Sequence, residues 1–341
     1  MSGRDIVVVG ASAGGVEALI QLVDKLPADL PASLFVVLHV PAGATSVLPS
    51  ILNRHGPLRA EHARDGERIE HGRIYVAPPD RHLLLRRDRV HLVHGPRENG
   101  HRPAVDPLFR SAARAYGRRV IGVVLSGTLD DGTAGLLAIK ARGGLALVQD
   151  PAGALFSGMP GSALEHVAVD HCAAAADLAA LLDRLTREPV EDDGVAADEE
   201  LSLEAELVEM DLDAIEQTNR PGEPSVFTCP ECQGTLWEMR DGELLRFRCR
   251  VGHAYSSESL FAGQSESVEA ALWTALRALE EKATLSQRLA AQAHGRGHRR
   301  AEAIFAERET EAQHSAALIR DVLEKSRVTD GANGEGNGRG A

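Results

Sequence analysis

The sequence predicts an α/β protein with a doubly wound, mostly parallel sheet, followed by a small zinc-ribbon-like module and C-terminal helices. Short apolar runs alternate with helix-like stretches over the first 186 residues, which is typical of an open α/β fold. Three of these runs are continuous and rich in Val, Ile or Leu, as expected for strands buried on both faces of a parallel sheet. Three Cys and one His further along have the spacing of a metal site on a hairpin.

The elements of the first domain alternate in chain order. Strands are predicted at 6–9, 34–38, 73–77, 120–125 and 145–148. Helices are predicted between and after them, at 15–25, 45–54, 106–117, 132–142 and 174–186. A shorter pair of apolar runs, 83–85 and 90–93, predicts a hairpin that adds antiparallel strands to the sheet.

The net charge of −13 is concentrated in one short stretch. Residues 1–186 hold 20 basic and 19 acidic residues, whereas 187–216 hold 13 acidic residues and one Arg. Neither large part has the basic excess of a nucleic-acid-binding core, and no apolar run reaches the roughly 20 residues of a membrane span. We therefore expect no nucleic-acid partner and no membrane insertion. Since no secretory signal precedes the first strand, we expect a cytoplasmic protein.

Composition divides the 341 residues into five parts. The α/β domain is followed by an acidic linker in which 201–216 has the pattern of an amphipathic helix, then by the metal module and by two helices broken near Gly295 and Gly297. The Gly-rich, polar end predicts disorder. The expected boundaries are 1–186, 187–224, 225–262, 263–327 and 328–341.

A serine lies on the turn between the first strand and the first helix. Gly10 to Gly14 have the Gly-x-Ser-x-Gly spacing of a nucleophile elbow, which exposes the Ser12 hydroxyl beside the free N–H groups of a helix N-terminus. A plain tight connection and a dinucleotide-binding loop stay open as alternatives. The nucleotide fingerprint, however, requires Gly at position 12 and an acid at the end of the second strand, which ends in His39.

A histidine and two aspartates follow neighbouring strands. His39 ends the second strand, and Asp130 and Asp131 follow the fourth. Because the carboxyl ends of parallel strands meet at one edge of the sheet, Ser12, His39 and one of the aspartates are expected there together. A hydroxyl, an imidazole and a carboxylate are the groups that serine catalysis requires.

Residues 5–186 resemble the catalytic domain of CheB-type protein-glutamate methylesterases, the chemotaxis receptor demethylases. The matching segments run in order through the domain: 9–15, 39–41, 75–83, 102–106, 125–127 with 131–132, and 149–151 with 158–160. The resemblance implies an enzyme that hydrolyses glutamate γ-methyl esters on receptor helices, releases methanol and in many cases deamidates receptor glutamine. The resemblance also implies that the enzyme needs no cofactor for catalysis.

The resemblance also implies roles for individual residues. Ser12 is the nucleophile, His39 the general base and Asp131 the orienting carboxylate, since the family places the aspartate directly before Gly. The backbone at Ala13 and Thr128 would bind the oxyanion. Arg102 is a candidate substrate binder, although an arginine before proline is more often solvated or structural.

This chain departs from the family in two ways. The family usually has Met-Gly at positions 128 and 129, where this chain has Thr and Leu, so the loop geometry and with it the rate or substrate choice are expected to differ. Most members also carry an N-terminal receiver domain, which we do not expect here. As a hypothesis, the acidic segment 198–216 resembles a receptor methylation helix and competes with substrate at Ser12; a solvated linker is the simpler alternative.

The metal motif reads C-x2-C-x16-C-x3-H, with ligands Cys229, Cys232, Cys249 and His253. Three thiolates and one imidazole suit tetrahedral zinc, and four protein ligands make the site structural. The Asp241-Gly242 turn between the pairs predicts a hairpin, so the module resembles a zinc ribbon. The alternative is a coincidence of cysteine spacing.

Two functions from different classes follow. The first is a methylesterase acting on a methylated chemoreceptor or a receptor-like helical protein, with a C-terminal tail that docks an unknown signalling partner. The second is a catalytically reduced scaffold that binds a receptor-like helical bundle and recruits a partner through its zinc module and tail.

Overall fold

The computed structural model describes residues 2–190, 204, 207–208 and 222–335. The chain forms two compact units, Met1–Phe261 and Ala262–Ala341. The strands of the first 190 residues are β1 (Ser2–Gly3), β2 (Ile6–Ala11), β3 (Ser33–Leu38), β4 (Arg59–His62), β5 (Arg73–Val76), β6 (His82–Arg86), β7 (Arg89–Val93), β8 (Val120–Val124), β9 (Leu145–Gln149), β10 (His171–Ala173) and β11 (Pro189–Val190).

Seven of these strands form one all-parallel sheet in the order β10-β9-β8-β2-β3-β5-β4. The strand order reverses between β2 and β8, because the chain first builds the β3 side and then the β9 side. Ligands of such sheets bind at this switch point, beyond the carboxyl ends of the strands. The five predicted strands correspond to β2, β3, β5, β8 and β9, which confirms the fold class.

The predicted hairpin exists, but its predicted place in the main sheet was wrong. Strands β6 and β7 pair with each other in a separate two-stranded sheet, and neither pairs with a strand of the main sheet. Leu83 and Leu85 are buried with helix residues such as Phe109 and Leu108. Leucines on one face of the hairpin therefore cover the sheet domain by packing rather than by strand pairing.

Helices cover both faces of the main sheet because its strands are apolar on both faces. Val7 and Val9 face one core cluster, whereas Ile6 and Val8 face the other, as the alternation of a strand requires. The sequence did not predict the helix over 158–166. The helices of the first 190 residues are α1 (Gly15–Asp24), α2 (Leu48–His55), α3 (Val105–Tyr116), α4 (Thr133–Ala141), α5 (Gly158–His166) and α6 (Ala175–Arg187).

The metal module is a four-stranded antiparallel sheet, which we call the ribbon: β12 (Glu223–Thr228), β13 (Thr235–Asp241), β14 (Leu244–Cys249) and β15 (Ala254–Ser256). The predicted turn lies between β13 and β14, where Gly242 has a φ of 63°. The ribbon belongs to the same compact unit as the main sheet. Its last strand, β15, contacts the sheet domain through a β-bridge between Ala254 and Glu98.

A buried cluster of five charged side chains joins the ribbon to the sheet domain. Glu204 accepts from Arg246 at 2.6 Å and Arg248 at 3.1 Å, and its ion pair with Arg110 measures 3.0 Å. Glu98 pairs with Arg110 and, at 3.0 Å, with Arg248. All five side chains are at most 7% exposed. Each glutamate therefore has two or more arginine partners, which is the condition for burying such charges.

Only three residues of the predicted acidic helix are described, and all three are helical and buried. Beside Glu204, Leu207 lies against the ribbon near Gly252, and Val208 packs on Leu84 and Val93 of the β6–β7 hairpin. These residues give the segment a packing role. The rest of 198–216, and with it the substrate-competition hypothesis, lies outside the described residues.

Two long helices follow, α7 (Ser257–Gly295) and α8 (Arg299–Glu335). The first turn of α7 belongs to the first unit, which ends at Phe261, and the rest of α7 with α8 forms the described part of the second unit. The two helices join through a turn at Gly297, whose φ is 73°, and Glu280 pairs with Arg320 at 2.6 Å between them. Helix α8 continues to Glu335, so residues 328–335, predicted to be disordered, are helical; 336–341 lie outside the described residues. None of the helices described here combines the length and the apolar character that crossing a membrane would demand.

Candidate active site

The turn after β2 presents Ser12 at the switch point. Gly14 has a φ of 68°, which favours glycine, and Gly15 N–H donates to the Ser12 carbonyl at 2.9 Å, closing the turn into α1. Ser12 N–H donates to the Ser126 carbonyl at 2.9 Å, so the turn is tied to the loop after β8. Ser12 remains half-buried, and its hydroxyl faces His39, which follows β3.

Ser12, His39 and Asp131 form one hydrogen-bonded series. Ser12 Oγ lies 3.1 Å from His39 Nδ1, and His39 Nε2 lies 2.7 Å from Asp131 Oδ2. In the neutral tautomer whose Nε2–H donates to the carboxylate, Nδ1 can accept a hydrogen bond from the Ser12 hydroxyl. The structure thus brings the three predicted residues together.

Asp131 is held by donors on both carboxylate oxygens. Oδ2 accepts from His39 and from the Val105 N–H at 2.7 Å, and Oδ1 accepts from Asn99 Nδ2 at 3.0 Å and the Asp106 N–H at 3.1 Å. The two amides begin helix α3, whose N-terminus favours a negative charge. The carboxylate plane is therefore fixed around the imidazole.

Three buried groups near His39 have displaced pKa values. Burial alone would raise the pKa of Asp131, but the hydrogen bond and charge of His39 and the Val105 N–H outweigh it and hold that pKa well below its usual range. The pKa of Asp106 is raised well above its usual range by burial and by the charge of Asp131. Burial, with His39 nearby, lowers the pKa of His101 to about 4. Asp131 is therefore ionised, whereas His101, which contacts His39, is neutral near pH 7.

His101 also packs on His39 directly. Its ring stacks on that of His39 with centroids 3.7 Å apart and planes 15° from parallel. This contact helps to fix the plane of the His39 ring, and a neutral His101 adds no positive charge beside it.

Asp130, the other aspartate of the pair, faces away from His39. Its Oδ1 accepts from Ser256 Oγ of the ribbon at 2.7 Å, and burial raises its pKa to about 6. The geometry therefore separates two adjacent aspartates that the strand pattern alone left equivalent.

The backbone at Ala13 and Thr128 offers two free donors. Among the residues that the structure describes, neither N–H has a protein partner, and the loop after β8 runs so close to Ser12 that a Cβ at Gly127 would lie 2.9 Å from Ser12 Cβ. Leu129 adopts a φ of 57°, at the position where the family pattern has glycine. That conformation costs a non-glycine residue about 1–2 kcal/mol, so the substitution strains this loop.

Arg102 has partners within the protein. It donates to Asp80 Oδ1 from two nitrogens, at 2.6 and 2.9 Å, and to the Gly95 carbonyl at 2.7 Å. These bonds give it a structural role in holding the loops on either side of the β6–β7 hairpin.

Three cysteine sulfurs and one imidazole converge in the ribbon. The ligand atoms of Cys229, Cys232, Cys249 and His253 lie within 4.8 Å of one another. His253 Nδ1 lies 3.7 Å from Cys229 Sγ and 3.5 Å from Cys249 Sγ, and Cys232 Sγ lies 3.6 Å from Cys249 Sγ. Tetrahedral zinc with its usual bond lengths separates ligand atoms by about 3.5–3.8 Å. The residues therefore fit the metal.

Sequence reasoning did not find Asn99, His101 or Asp106 as parts of the site. Asn99-Gly100 is a turn signal that could have marked a tight bend, and the three residues surround the Arg102-Pro103 motif. No local pattern, however, indicates that this bend reaches Asp131. A parallel sheet that presents Ser, His and Asp in this geometry holds the three groups that a serine hydrolase requires.

Comparison with known proteins identifies the family. Residues 7–182 match the family model described as CheB methylesterase, so the chain belongs to the CheB methylesterase family. A protein-glutamate methylesterase/protein-glutamine glutaminase of Methanosarcina mazei is 41% identical over 168 residues, covering 47% of this chain and 46% of that protein. A putative protein of the same name from Leptospira interrogans is 37% identical and is covered to 97%, with 55% of this chain.

A solved structure agrees. The catalytic domain of the Thermotoga maritima CheB methylesterase superposes with a TM-score of 0.52 at 35% identity, covering 54% of this chain and all of that one. The chain spans about half the length of curated relatives such as the Methanosarcina protein.

Proposed function

We propose that this protein is a serine methylesterase that hydrolyses glutamate γ-methyl esters on chemoreceptor-like helical proteins in the cytoplasm, and that the same site deamidates glutamine. The observation that carries the proposal is the Ser12–His39–Asp131 series, with its 3.1 and 2.7 Å separations at the sheet's switch point. Membership of the CheB methylesterase family supports the substrate class.

The geometry accounts for both halves of the reaction. Ser12 Oγ attacks the ester carbonyl while His39 Nδ1 takes its proton, and Asp131 stabilises the resulting imidazolium. The N–H groups of Ala13 and Thr128 bind the oxyanion. Methanol leaves with the proton from His39. Water then attacks the acyl-enzyme with His39 as base, giving the free glutamate; with glutamine as substrate, ammonia leaves instead.

The proposal is tested with the full chain and a methyl-esterified chemoreceptor as substrate. We expect methanol release, and we expect a serine-directed phosphonate to form one adduct, located by mass spectrometry on Ser12 and missing from Ser12→Ala. A wild-type chain that neither releases methanol nor forms the adduct would instead support the scaffold function, in which the domain only binds a helical bundle.

We also propose that the ribbon holds a structural zinc ion. The thiolates of Cys229, Cys232 and Cys249 and Nδ1 of His253 would bind it, and Glu231 Oε2 lies 3.4 Å from the other ring nitrogen of His253, as an orienting carboxylate does at many zinc sites. When bound, the metal supplies folding energy to the ribbon rather than chemistry at Ser12.

Metal analysis of freshly purified protein is expected to find about one zinc per chain. Cys229→Ser should lose most of it, because the buried thiolate is a ligand, whereas Cys172→Ser should keep it, because Cys172 lies on exposed β10. Equal metal content in the two variants, or no zinc in the wild type, would reject the site.

The two long helices are proposed to dock a signalling partner. Exposed apolar side chains on them, among them Leu285 and Leu318 at 59% and 56% exposure, support this role.

A further inference from the structure

A tight turn, Glu98 to His101, connects the ribbon to the triad. Asn99 and Gly100 have φ values of 51° and 77°, and Glu98 and His101 exchange both backbone hydrogen bonds, as in a type I′ turn. Each end of the turn is anchored: Glu98 lies in the buried charge cluster, and the His101 ring stacks on His39. The tip therefore has little freedom.

Asn99, at the tip of this turn, is in contact with the ribbon through its backbone and its side chain. Its N–H donates to the Ala254 carbonyl at 2.8 Å. Its Oδ1 accepts from the Ser256 N–H at 3.0 Å and from Ser259 Oγ at 2.9 Å. Ser256 ends strand β15, and Ser259 lies in the first turn of α7. Three donors or acceptors from the segment after the metal motif thus fix one asparagine.

The other end of the same amide faces the triad. Asn99 Nδ2 donates to Asp131 Oδ1 at 3.0 Å and to Asp106 Oδ2 at 3.1 Å. An asparagine side chain has two donors and an oxygen that accepts two bonds, and all of them are used here. A flipped amide would place its oxygen against carboxyl oxygens of Asp131 and Asp106 and its NH2 against two donors. The ribbon contacts and the two aspartates therefore select the same orientation.

We propose that Asn99 is a positioning residue through which the ribbon orients Asp131, so that the ribbon is part of the hydrolytic site rather than an independent module. The inference rests on the proposed function. The hydrogen bonds run from Ser256 and Ser259 to Asn99, then to Asp131, His39 and Ser12. Loss of the Asn99 amide leaves Asp131 Oδ1 with one donor, the Asp106 N–H, so the carboxylate loses part of what holds its plane to the imidazole.

The test uses three full-length variants: Asn99→Ala, Ser259→Ala and, as matched control, Ser257→Ala. Ser257 is the neighbouring serine, but its hydroxyl donates to the Leu245 carbonyl at the surface. Loss of a hydrogen bond to a charged group changes an equilibrium or rate constant by about 10- to 100-fold. Loss of a bond between neutral groups changes it by about fivefold. We therefore expect kcat to fall about 10- to 100-fold in Asn99→Ala and about fivefold in Ser259→Ala, with KM within about twofold of the wild type.

A second readout reports the positioning itself. The Nε2–H proton of His39, bound to a buried carboxylate, gives a downfield NMR resonance that His39→Gln assigns by its loss. We expect this resonance to shift or broaden in Asn99→Ala and Ser259→Ala and to be unchanged in Ser257→Ala.

Two results would overturn the proposal. One is a wild-type resonance and kcat in Asn99→Ala; the other is identical behaviour of Ser259→Ala and Ser257→Ala, which would break the link to the ribbon. Should Asn99→Ala fail to fold, the Ser259→Ala comparison still decides. A wild-type protein without esterase activity would contradict the proposed function, whereas the resonance would still decide whether Asn99 positions His39 and Asp131.

Discussion

Replacing Asp131 by asparagine is expected to lower kcat for methyl-ester hydrolysis by about 10⁴-fold, the size of the effect when a triad carboxylate becomes an amide. Four donors point at this side chain, two at each oxygen. An amide NH2 must therefore face either His39 and Val105 or Asn99 and Asp106. If it faces His39, it drives the ring proton to Nδ1, which then cannot accept from Ser12.

Asp130→Asn is the matched control, because it makes the same carboxylate-to-amide exchange at the adjacent residue. Its side chain faces Ser256, and an asparagine oxygen still accepts that hydroxyl. We expect the methanol-release rate to stay within about threefold of the wild type. If Asp130→Asn loses as much activity as Asp131→Asn, the assignment of the orienting carboxylate is wrong.

The Asp130→Asn variant is also expected to change how the free energy of unfolding depends on pH. The pKa of Asp130 is raised by burial to about 6, from 3.8, so between these values the folded protein holds a proton that the unfolded chain releases. This group's contribution to stability is therefore full below about pH 3.8 and is lost as the pH rises through 6. Asp130→Asn should remove that part of the pH dependence.

Replacing Glu204 by glutamine is expected to lower the free energy of unfolding by about 3–5 kcal/mol, because it removes one partner from a buried ionic cluster. Arg110, Arg246 and Arg248 would then share Glu98 and Asp241 as their remaining carboxylates. Urea unfolding followed by the fluorescence of Trp237, in a Trp273→Phe background, measures the effect in the ribbon.

Glu188→Gln is the control for this substitution. Glu188 pairs with Arg4 at 3.5 Å, and its side chain is 46% exposed, so the expected change is below about 1 kcal/mol. Equal destabilisation by the two substitutions would contradict a special role for the buried cluster.

The buried charge cluster also makes the stability of the protein depend on pH in the acid range. Burial would raise the pKa values of Glu98 and Glu204, but the arginines outweigh it and hold both below the usual range. These glutamates therefore contribute stability above their ordinary pKa, and that contribution is lost as the pH falls below it. The wild type should lose more stability than Glu204→Gln when the pH is lowered from 6 to 4.

Local pattern was sufficient to predict much of the molecule. Apolar runs identified five strands of the main sheet, since a strand buried on both faces must be apolar throughout. The strand-end rule predicted that Ser12 and His39 share one edge with an aspartate, and the family motif selected Asp131. The cysteine spacing marked four residues whose ligand atoms do converge.

Other features depend on contacts between distant parts of the chain. The partner of Asn99 in the first turn of α7, Ser259, lies 160 residues away, and the partner of Glu204, Arg246, lies 42 away. Composition predicted an acidic linker with a possible amphipathic helix over 201–216. It did not indicate that Glu204 is 2% exposed, because the three arginines that surround it come from other parts of the unit. The β6–β7 hairpin was predicted correctly as a hairpin, but its separation from the main sheet follows from packing.

The sequence by itself determined most strands and helices, the glycine-rich turn that carries Ser12 and the Cys/His motif, because each is encoded within a few neighbouring residues. Only the tertiary structure decided which aspartate faces His39 and which faces the ribbon, how Asn99 joins the ribbon to the triad, and which acidic side chain is buried. Those outcomes depend on hydrogen bonds and ion pairs between groups that only folding brings within 3 Å of one another, and no local periodicity specifies them.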